Sequence, residues 1–415
     1  MNMAIVMRKS EDEQTAVSHT AVSHTAVSRW QAIPAARWFW LPVILFTTTR
    51  LGILLVAYLS VGLVADAAAP PPYHLRGLDN RLLDVLGSRW DTGFYVSIAE
   101  EGYFYEGVPL PSVAFFPLYP LMMRALAAVV GDAVVAGILI SNGALLLATI
   151  LFYRLVAESW DEVVADRAIW YWLIFPAAFF GTAAYSESLF LLCAIGSLYA
   201  ARRGYWEVAA LLGIGAALTR VVGVIIAPVL LLEWWRQWRE RGEGVRPSPF
   251  AVLAALAVPL GTLAYMAYLW RAFGDPLAFV HGAAAWARQP QSPLVTIGDL
   301  LKTPAGGWWA ALWAGNIHLD NWIDFLAVLL FAGLGLVLLY WRRWPESAFV
   351  LLGVSVAFSS GLLMSQRRYM WALFPAFIVL AKWGGRPWVD RLVTAVSLML
   401  LGLFTALFAN GYWVG

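Results

Sequence analysis

FWLPVILFTTTRLGILLVAYLSVGL, residues 39–63, is the stretch that decides the fold class. It is apolar for longer than the roughly 20 helical residues that cross a hydrocarbon core about 30 Å thick. It is too long for the apolar core of a signal peptide and lacks the usual small-residue cleavage site, so it reads as a permanent span. Comparable runs follow at 134–156, 168–185, 188–201, 206–219, 222–235, 249–271, 323–341, 347–363, 369–384 and 392–410. The expectation is an all-α polytopic membrane protein with about eleven transmembrane helices.

Composition agrees with this. Of 415 residues, 61% are hydrophobic and only 13% charged, against about 25% charged in a soluble domain. The 23 Trp suit helix ends at a headgroup layer. A net charge of +2 leaves no electrostatic footprint for nucleic acid, and none is expected as a partner. The one cysteine, Cys193, rules out a disulfide framework. Residues 1–38 are polar and contain the repeat TAVSHTAVSHTAVSR at 15–29. They read as a disordered cytoplasmic tail, followed by a single transmembrane domain over 39–415.

Orientation follows from charge. With the N-terminus inside, most of the 28 Lys and Arg fall on inner segments, in clusters such as Arg202-Arg203, Arg236 to Arg246 and Arg342-Arg343. Both long loops, 64–133 and 272–322, then lie outside. The first is acidic, with Asp66, Asp79, Asp84, Asp91, Glu100, Glu101 and Glu106 before residue 114. Its end, AFFPLYPLMMRALAAVVG (114–131), has Pro117 and Pro120 at its start and Arg124 in its middle. It reads as an amphipathic helix at the outer interface. Arg50, inside the first span, is expected to face the bundle and pair with an acid.

The densest polar cluster is Arg89-Trp90-Asp91-Thr92-Gly93-Phe94-Tyr95, then Glu100-Glu101-Gly102-Tyr103, Glu106, and Phe115-Phe116-Pro117-Leu118-Tyr119-Pro120. Carboxylates alternating with aromatic faces suit a carbohydrate site, where a carboxylate serves as general base toward a hydroxyl. A solvated loop with interfacial aromatics has the same make-up. In Tyr185-Ser186-Glu187-Ser188, Glu187 is either a functional acid or the first-turn acid of a helix capped by Ser186. Arg220 and the Arg367-Arg368 pair, all outside, suit a lipid phosphate; snorkelling to headgroups is the plainer alternative. There is no phosphate-cradling glycine loop or dinucleotide fingerprint. The five histidines are scattered, so no metal site is expected.

The run RWDTGFYVSIAEEGY (89–103) followed by AFFPLYP (114–120) resembles the signature loop of the PIG-V family, the mannosyltransferases related to GPI mannosyltransferase II and their prokaryotic relatives. FPAAFFGTAAYSESLF (175–190) and ALTR (217–220) are similar to it as well. The resemblance implies a GT-C-type glycosyltransferase fold, with a large first extracytoplasmic loop carrying short interfacial helices. It implies a polyprenyl-phosphate mannose donor and inverting transfer without a cofactor. The acid in the first outer loop that would act as general base matches Asp91. Glu106 and Glu187 would line the acceptor side, Trp90, Tyr103 and Tyr119 the sugar pocket, and Arg220, Arg367 and Arg368 the donor phosphate. The acceptor, a glycolipid or glycan, is open, as is any partner subunit. The Lys-poor, Arg- and Ala-rich composition looks prokaryotic, and the expected location is the plasma membrane, with the N-terminus cytoplasmic and the site extracytoplasmic. The rival from another class is a polyprenyl-phosphate or glycolipid flippase, which should carry its polar residues on broken helices at the bilayer midplane. A non-catalytic assembly subunit is the third reading, and the retained Asp91 argues against it.

Overall fold

The computed structural model describes residues 37–65, 67, 81–240, 249–304, 306–315 and 319–414. The expected N-terminal tail therefore lies outside the described residues, except that Arg37 and Trp38 already belong to the first helix. Among the described residues the regular structure is helical, with no strand. Six helices are long and apolar enough to cross a membrane: Arg37–Ser60, Ala133–Ser159, Val221–Glu240, Phe250–Phe273, Leu319–Tyr340 and Pro387–Ala409. Shorter apolar helices fill the spaces between them, including Leu118–Val130, Trp206–Thr219 and Trp344–Phe358. This is a multi-pass membrane protein. Leucines and valines that would be costly in water, such as Leu51, Leu211, Leu256 and Leu336, are exposed on its outer wall.

Glu187–Arg202 runs through the middle, packed on Ala133–Ser159 and Trp206–Thr219. At the end away from Asp91, Arg202 bonds Glu346 at 2.5 Å and lies 3.7 Å from Glu233, which takes Arg236 at 2.6 Å. Both glutamates are buried, so this cluster fixes three helices at one end of the bundle.

Two expected spans are interrupted beside a cavity, in addition to a brief break between Pro249–Ala257 and Leu260–Phe273 in the one expected over 249–271. Instead of one helix over 168–185, Glu162–Leu173 stops and the chain continues irregularly past Pro176, through a short 3-10 turn Ala178–Gly181. Instead of one over 369–384, Gln366–Trp371 and Ala376–Trp383 are separate, with Pro375 between them. Each proline lacks the N–H that would continue the ladder. The freed carbonyls are satisfied inside the protein, as a low-dielectric interior demands. Trp172 donates its indole N–H to the carbonyl of Trp371 at 3.2 Å, and Trp371 returns the bond to the carbonyl of Trp172 at 2.9 Å. Their rings stack 5.7 Å apart. The fit is close: a Cβ on Gly181 would come within 2.6 Å of the Trp371 ring.

Arg50 completes this repair, and its expected acidic partner is corrected. It donates to the carbonyls of Leu173 and Ala178, each at 2.7 Å, and to Thr182 Oγ1 at 3.1 Å. The partial negative charge of an open helix C-terminus takes the place of a carboxylate. Arg50→Leu should lower folding stability by roughly 2–5 kcal/mol, because two buried carbonyls lose a charged donor. The check is the unfolding midpoint in detergent, where Arg50→Lys should fall between wild type and Arg50→Leu.

Candidate functional site

A cavity of about 610 Å³ opens where the two broken segments meet the loop that carries Asp91. Its charged lining residues are Asp91, Arg220, Arg288 and Arg368; most of the remainder is aromatic or aliphatic.

Asp91 sits just ahead of the helix Thr92–Glu100, and its side chain makes no capping bond to that helix. The residue before it, Trp90, has φ 54°, a left-handed backbone uncommon for a bulky side chain. Tyr185 holds this turn on both sides: its hydroxyl donates to the Arg89 carbonyl and accepts from the Asp91 N–H, both at 3.1 Å. Arg89 ties the turn to the last helix through the Ala409 carbonyl at 3.1 Å and to Asp84 at 2.9 Å. The Trp90 ring meets Trp413 edge-on at 5.1 Å. Two other non-glycine residues in the left-handed region also flank the cavity: Ala287 at φ 56°, before Arg288, and Ser365 at φ 78°, before the Gln366–Trp371 helix. Backbone strain of this kind persists where the surroundings over-determine it.

The charges form a chain. Asp91 Oδ2 accepts from Arg368 Nη1 at 2.7 Å. Arg368 Nε donates to Glu187 Oε1, which also accepts from Arg220 Nη1 at 2.6 Å. The Arg368 guanidinium lies over the rings of Tyr185, at 4.6 Å, and Phe180, at 4.9 Å. Ser186 does not cap the following helix; its hydroxyl bonds Tyr95 at 2.7 Å and accepts from Arg220 at 3.2 Å. Burial raises the Tyr95 phenol well above its ordinary pKa, so it stays neutral.

The second long loop covers part of the cavity, lining it with Phe279, Trp286 and Arg288. Trp286 packs edge-on against Phe94 at 4.8 Å, and Phe279 against Phe116 at 5.4 Å. Gly282 lets the loop approach closely, since a Cβ there would lie 2.7 Å from Val113. Farther out, Asp275 accepts from Tyr105 at 3.1 Å and contacts His281 at 2.7 Å, and the imidazole holds its carboxyl below the usual carboxylate range.

Of the residues expected at the site, Trp90, Asp91, Arg220 and Arg368 line this cavity. Five do not, and their placing is corrected. Arg367 turns the other way from Arg368 into a buried pocket of its own, paired with Asp320 and, at 3.4 Å, with Asp324. Tyr119 is fully buried beneath the site and bonds the Gly137 carbonyl at 2.9 Å and Ser141 at 2.8 Å. Tyr103 donates to the Phe115 carbonyl at 2.8 Å and packs on Tyr265 and Tyr268. Glu106 is exposed and off the lining. Glu187 is 1% exposed, so it acts on the two arginines rather than on anything in the cavity. Sequence reasoning missed Trp286, Tyr369 and Trp413 as lining residues and counted Arg288 only among the outer cations. The sole signal was a Trp two residues before an Arg in a long loop, which is not specific.

Comparisons with known proteins find relatives of part of the chain. Residues 43–234 match the family described as Mannosyltransferase (PIG-V). The match takes in Asp91, Glu187 and Arg220 and stops before Arg288, Arg367 and Arg368. Among curated proteins, GPI mannosyltransferase 2 of Chaetomium globosum is 38% identical over 141 residues, covering 31% of this chain and 29% of its own. Mouse GPI alpha-1,6-mannosyltransferase 2 is 30% identical over 232 residues, covering 50% and 45%. The aligned region thus spans less than half the length of these relatives. Among solved structures, ArnT from Cupriavidus metallidurans bound to undecaprenyl phosphate aligns with TM-score 0.45 and 14% identity, over 92% of this chain and 77% of its own. The Archaeoglobus fulgidus oligosaccharyltransferase AglB, in complex with an inhibitory peptide and a dolichol-phosphate, aligns with TM-score 0.38 and 15% identity, over 88% and 56%.

Glu187→Gln should destabilise the protein by about 3–5 kcal/mol, because two buried arginines lose their shared counter-ion. Adding Arg220→Gln should recover part of that loss. Thermal unfolding of the two single variants and the double variant measures the coupling, and strictly additive losses would contradict the shared-anion geometry.

Proposed function

We propose that the protein is a membrane glycosyltransferase of GT-C type. It moves mannose from a polyprenyl-phosphate donor to a glycolipid or glycan acceptor on the extracytoplasmic face, with inversion. The observation that carries this is Asp91: it is the carboxylate among the residues lining the cavity, and the other charged lining residues are arginines. Its Oδ2 is held by Arg368, while Oδ1 makes no hydrogen bond among the described residues. The family that 43–234 matches and the names of both curated relatives support the sugar and the reaction class.

In this mechanism Asp91 Oδ1 takes the proton of an acceptor hydroxyl. The oxygen attacks the anomeric carbon from the side opposite the phosphate. The bond from that carbon to the phosphate oxygen breaks, and its electron pair leaves with the polyprenyl phosphate. The guanidinium groups offset the charge that grows there. Arg368 holds the carboxylate in place without blocking its second oxygen. Trp90, Trp286 and Trp413 provide faces for the sugar rings. Arg50 lends nothing to the transporter reading, since its donors are taken by the carbonyls of Leu173 and Ala178 and by Thr182, whereas the broken segments do bring Ser186 and Arg368 to the cavity.

Full-chain protein in nanodiscs, given radiolabelled polyprenyl-phosphate mannose and a total lipid and glycan extract, should transfer label to an extract component. Asp91→Asn should cut that rate by roughly 100-fold to 10,000-fold, the contribution of a positioned base, without changing the elution profile on gel filtration. Undiminished transfer by Asp91→Asn removes it as the base. Donor crossing the bilayer with no transfer at all would favour the flippase.

A further inference from the structure

Three arginines line the cavity, and their charges are not equivalent. Arg368 is paired with both Asp91 and Glu187, and Arg220 with Glu187. These two cations and two anions cancel. Arg288 has no carboxylate partner among the described residues. Its contacts are long, 3.4 Å to Ser360 Oγ and 3.4 Å to the Met364 carbonyl, and it is half-buried. A guanidinium has five N–H donors in a planar fork, so much of its donor capacity is unspent.

Its placement is built rather than incidental. Arg288 lies over the Tyr369 ring at 5.2 Å, and Arg220 lies over the same ring at 5.4 Å. One aromatic ring therefore holds two guanidiniums beside a shared space. The left-handed backbone at Ala287 sets the direction in which Arg288 leaves the loop.

The cavity also has an apolar rim. Val221, Val280, Val356 and Met364 line it, and each is more than a third exposed. Val221 starts the span Val221–Glu240, and Val356 lies on the apolar helix Trp344–Phe358. An unpaired cation inside and an aliphatic rim on membrane helices suit an amphiphile with an anionic head.

We infer that Arg288, rather than Arg367, is the residue that holds the phosphate of a lipid-phosphate ligand, with its tail leaving over the rim formed by Val221, Val356 and Met364. This rests on the glycosyl-transfer reading for the identity of that lipid as the donor. Arg367 is excluded by its own pairing with Asp320 and Asp324. The cavity without Arg288 is neutral; with it, the site has one positive charge to match one phosphate.

The test is equilibrium binding to the full chain in detergent, read by quenching of tryptophan fluorescence, with Trp90, Trp286 and Trp413 as reporters in the cavity. The probes are polyprenyl monophosphate, polyprenol and inorganic phosphate. Wild type should bind the lipid phosphate more tightly than either other probe. Arg288→Gln should weaken lipid-phosphate binding roughly tenfold or more, the scale of a charge-assisted contact, and bring it level with polyprenol. Arg288→Lys should restore part of the difference, which a folding defect would not. If wild type prefers the lipid phosphate and Arg288→Gln keeps that preference, this inference fails while the donor reading stands. If wild type treats polyprenyl phosphate and polyprenol alike, both fail. Inorganic phosphate bound as tightly as the lipid would assign the seat to a free anion and overturn the lipid assignment.

Discussion

One buried carboxylate holds the site together. Glu187 takes Arg220 and Arg368 on the same oxygen, from segments 33 and 181 residues away in the chain. Removing either kind of charge from water costs several kcal/mol, and the pairing is tolerable only because each partner compensates the other. The start of the helix Glu187–Arg202 adds its own positive end to hold the carboxylate charged. Everything nearer the cavity hangs on this. Arg368 stays where it can reach Asp91, and Arg220 stays where it can reach Ser186 and the Tyr369 ring. The same neutralisation leaves Arg288 as the cation lining the cavity that has no carboxylate partner among the described residues.

That arrangement requires irregular backbone inside a membrane bundle, and the bundle supplies the means. Proline at 176 and at 375 ends two helices early, which frees carbonyls in a place where water does not reach. The reciprocal Trp172 and Trp371 bonds and the Arg50 fork absorb them. The broken segments can then bring Ser186 and Arg368 to the cavity, with Glu187 buried behind them. Residues that look catalytic by composition serve the scaffold instead. Tyr119 and Tyr103 spend their hydroxyls on carbonyls beneath and beside the site.

Some of this was legible beforehand because its physics is one-dimensional. A run of apolar residues long enough to cross a bilayer is a property of composition and length, so 39–63, 134–156 and 392–410 fall on the long helices Arg37–Ser60, Ala133–Ser159 and Pro387–Ala409. Composition pointed to the acid- and aromatic-rich loop as a whole, and the resemblance of RWDTGFYVSIAEEGY to the PIG-V signature loop singled out Asp91 within it, which lines the cavity. The helix breaks were not read from the sequence: 168–185 and 369–384 were expected as continuous spans across Pro176 and Pro375, because the effect of a proline depends on whether neighbours can satisfy the freed groups.

Arg367 and Arg368 show where local reading ends. They are adjacent and chemically identical, yet consecutive helical residues point about 100° apart. One direction meets Asp320 and Asp324, the other Asp91 and Glu187. Nothing in the dipeptide distinguishes them, because the distinction belongs to what lies across the gap. The sequence by itself determined that this chain is a multi-pass helical membrane protein with an acid-bearing aromatic loop, since hydropathy and composition need no partner. Only the tertiary structure decided which charges cancel, which cation is left over and where the cavity opens, because charge pairing acts between residues up to 277 positions apart.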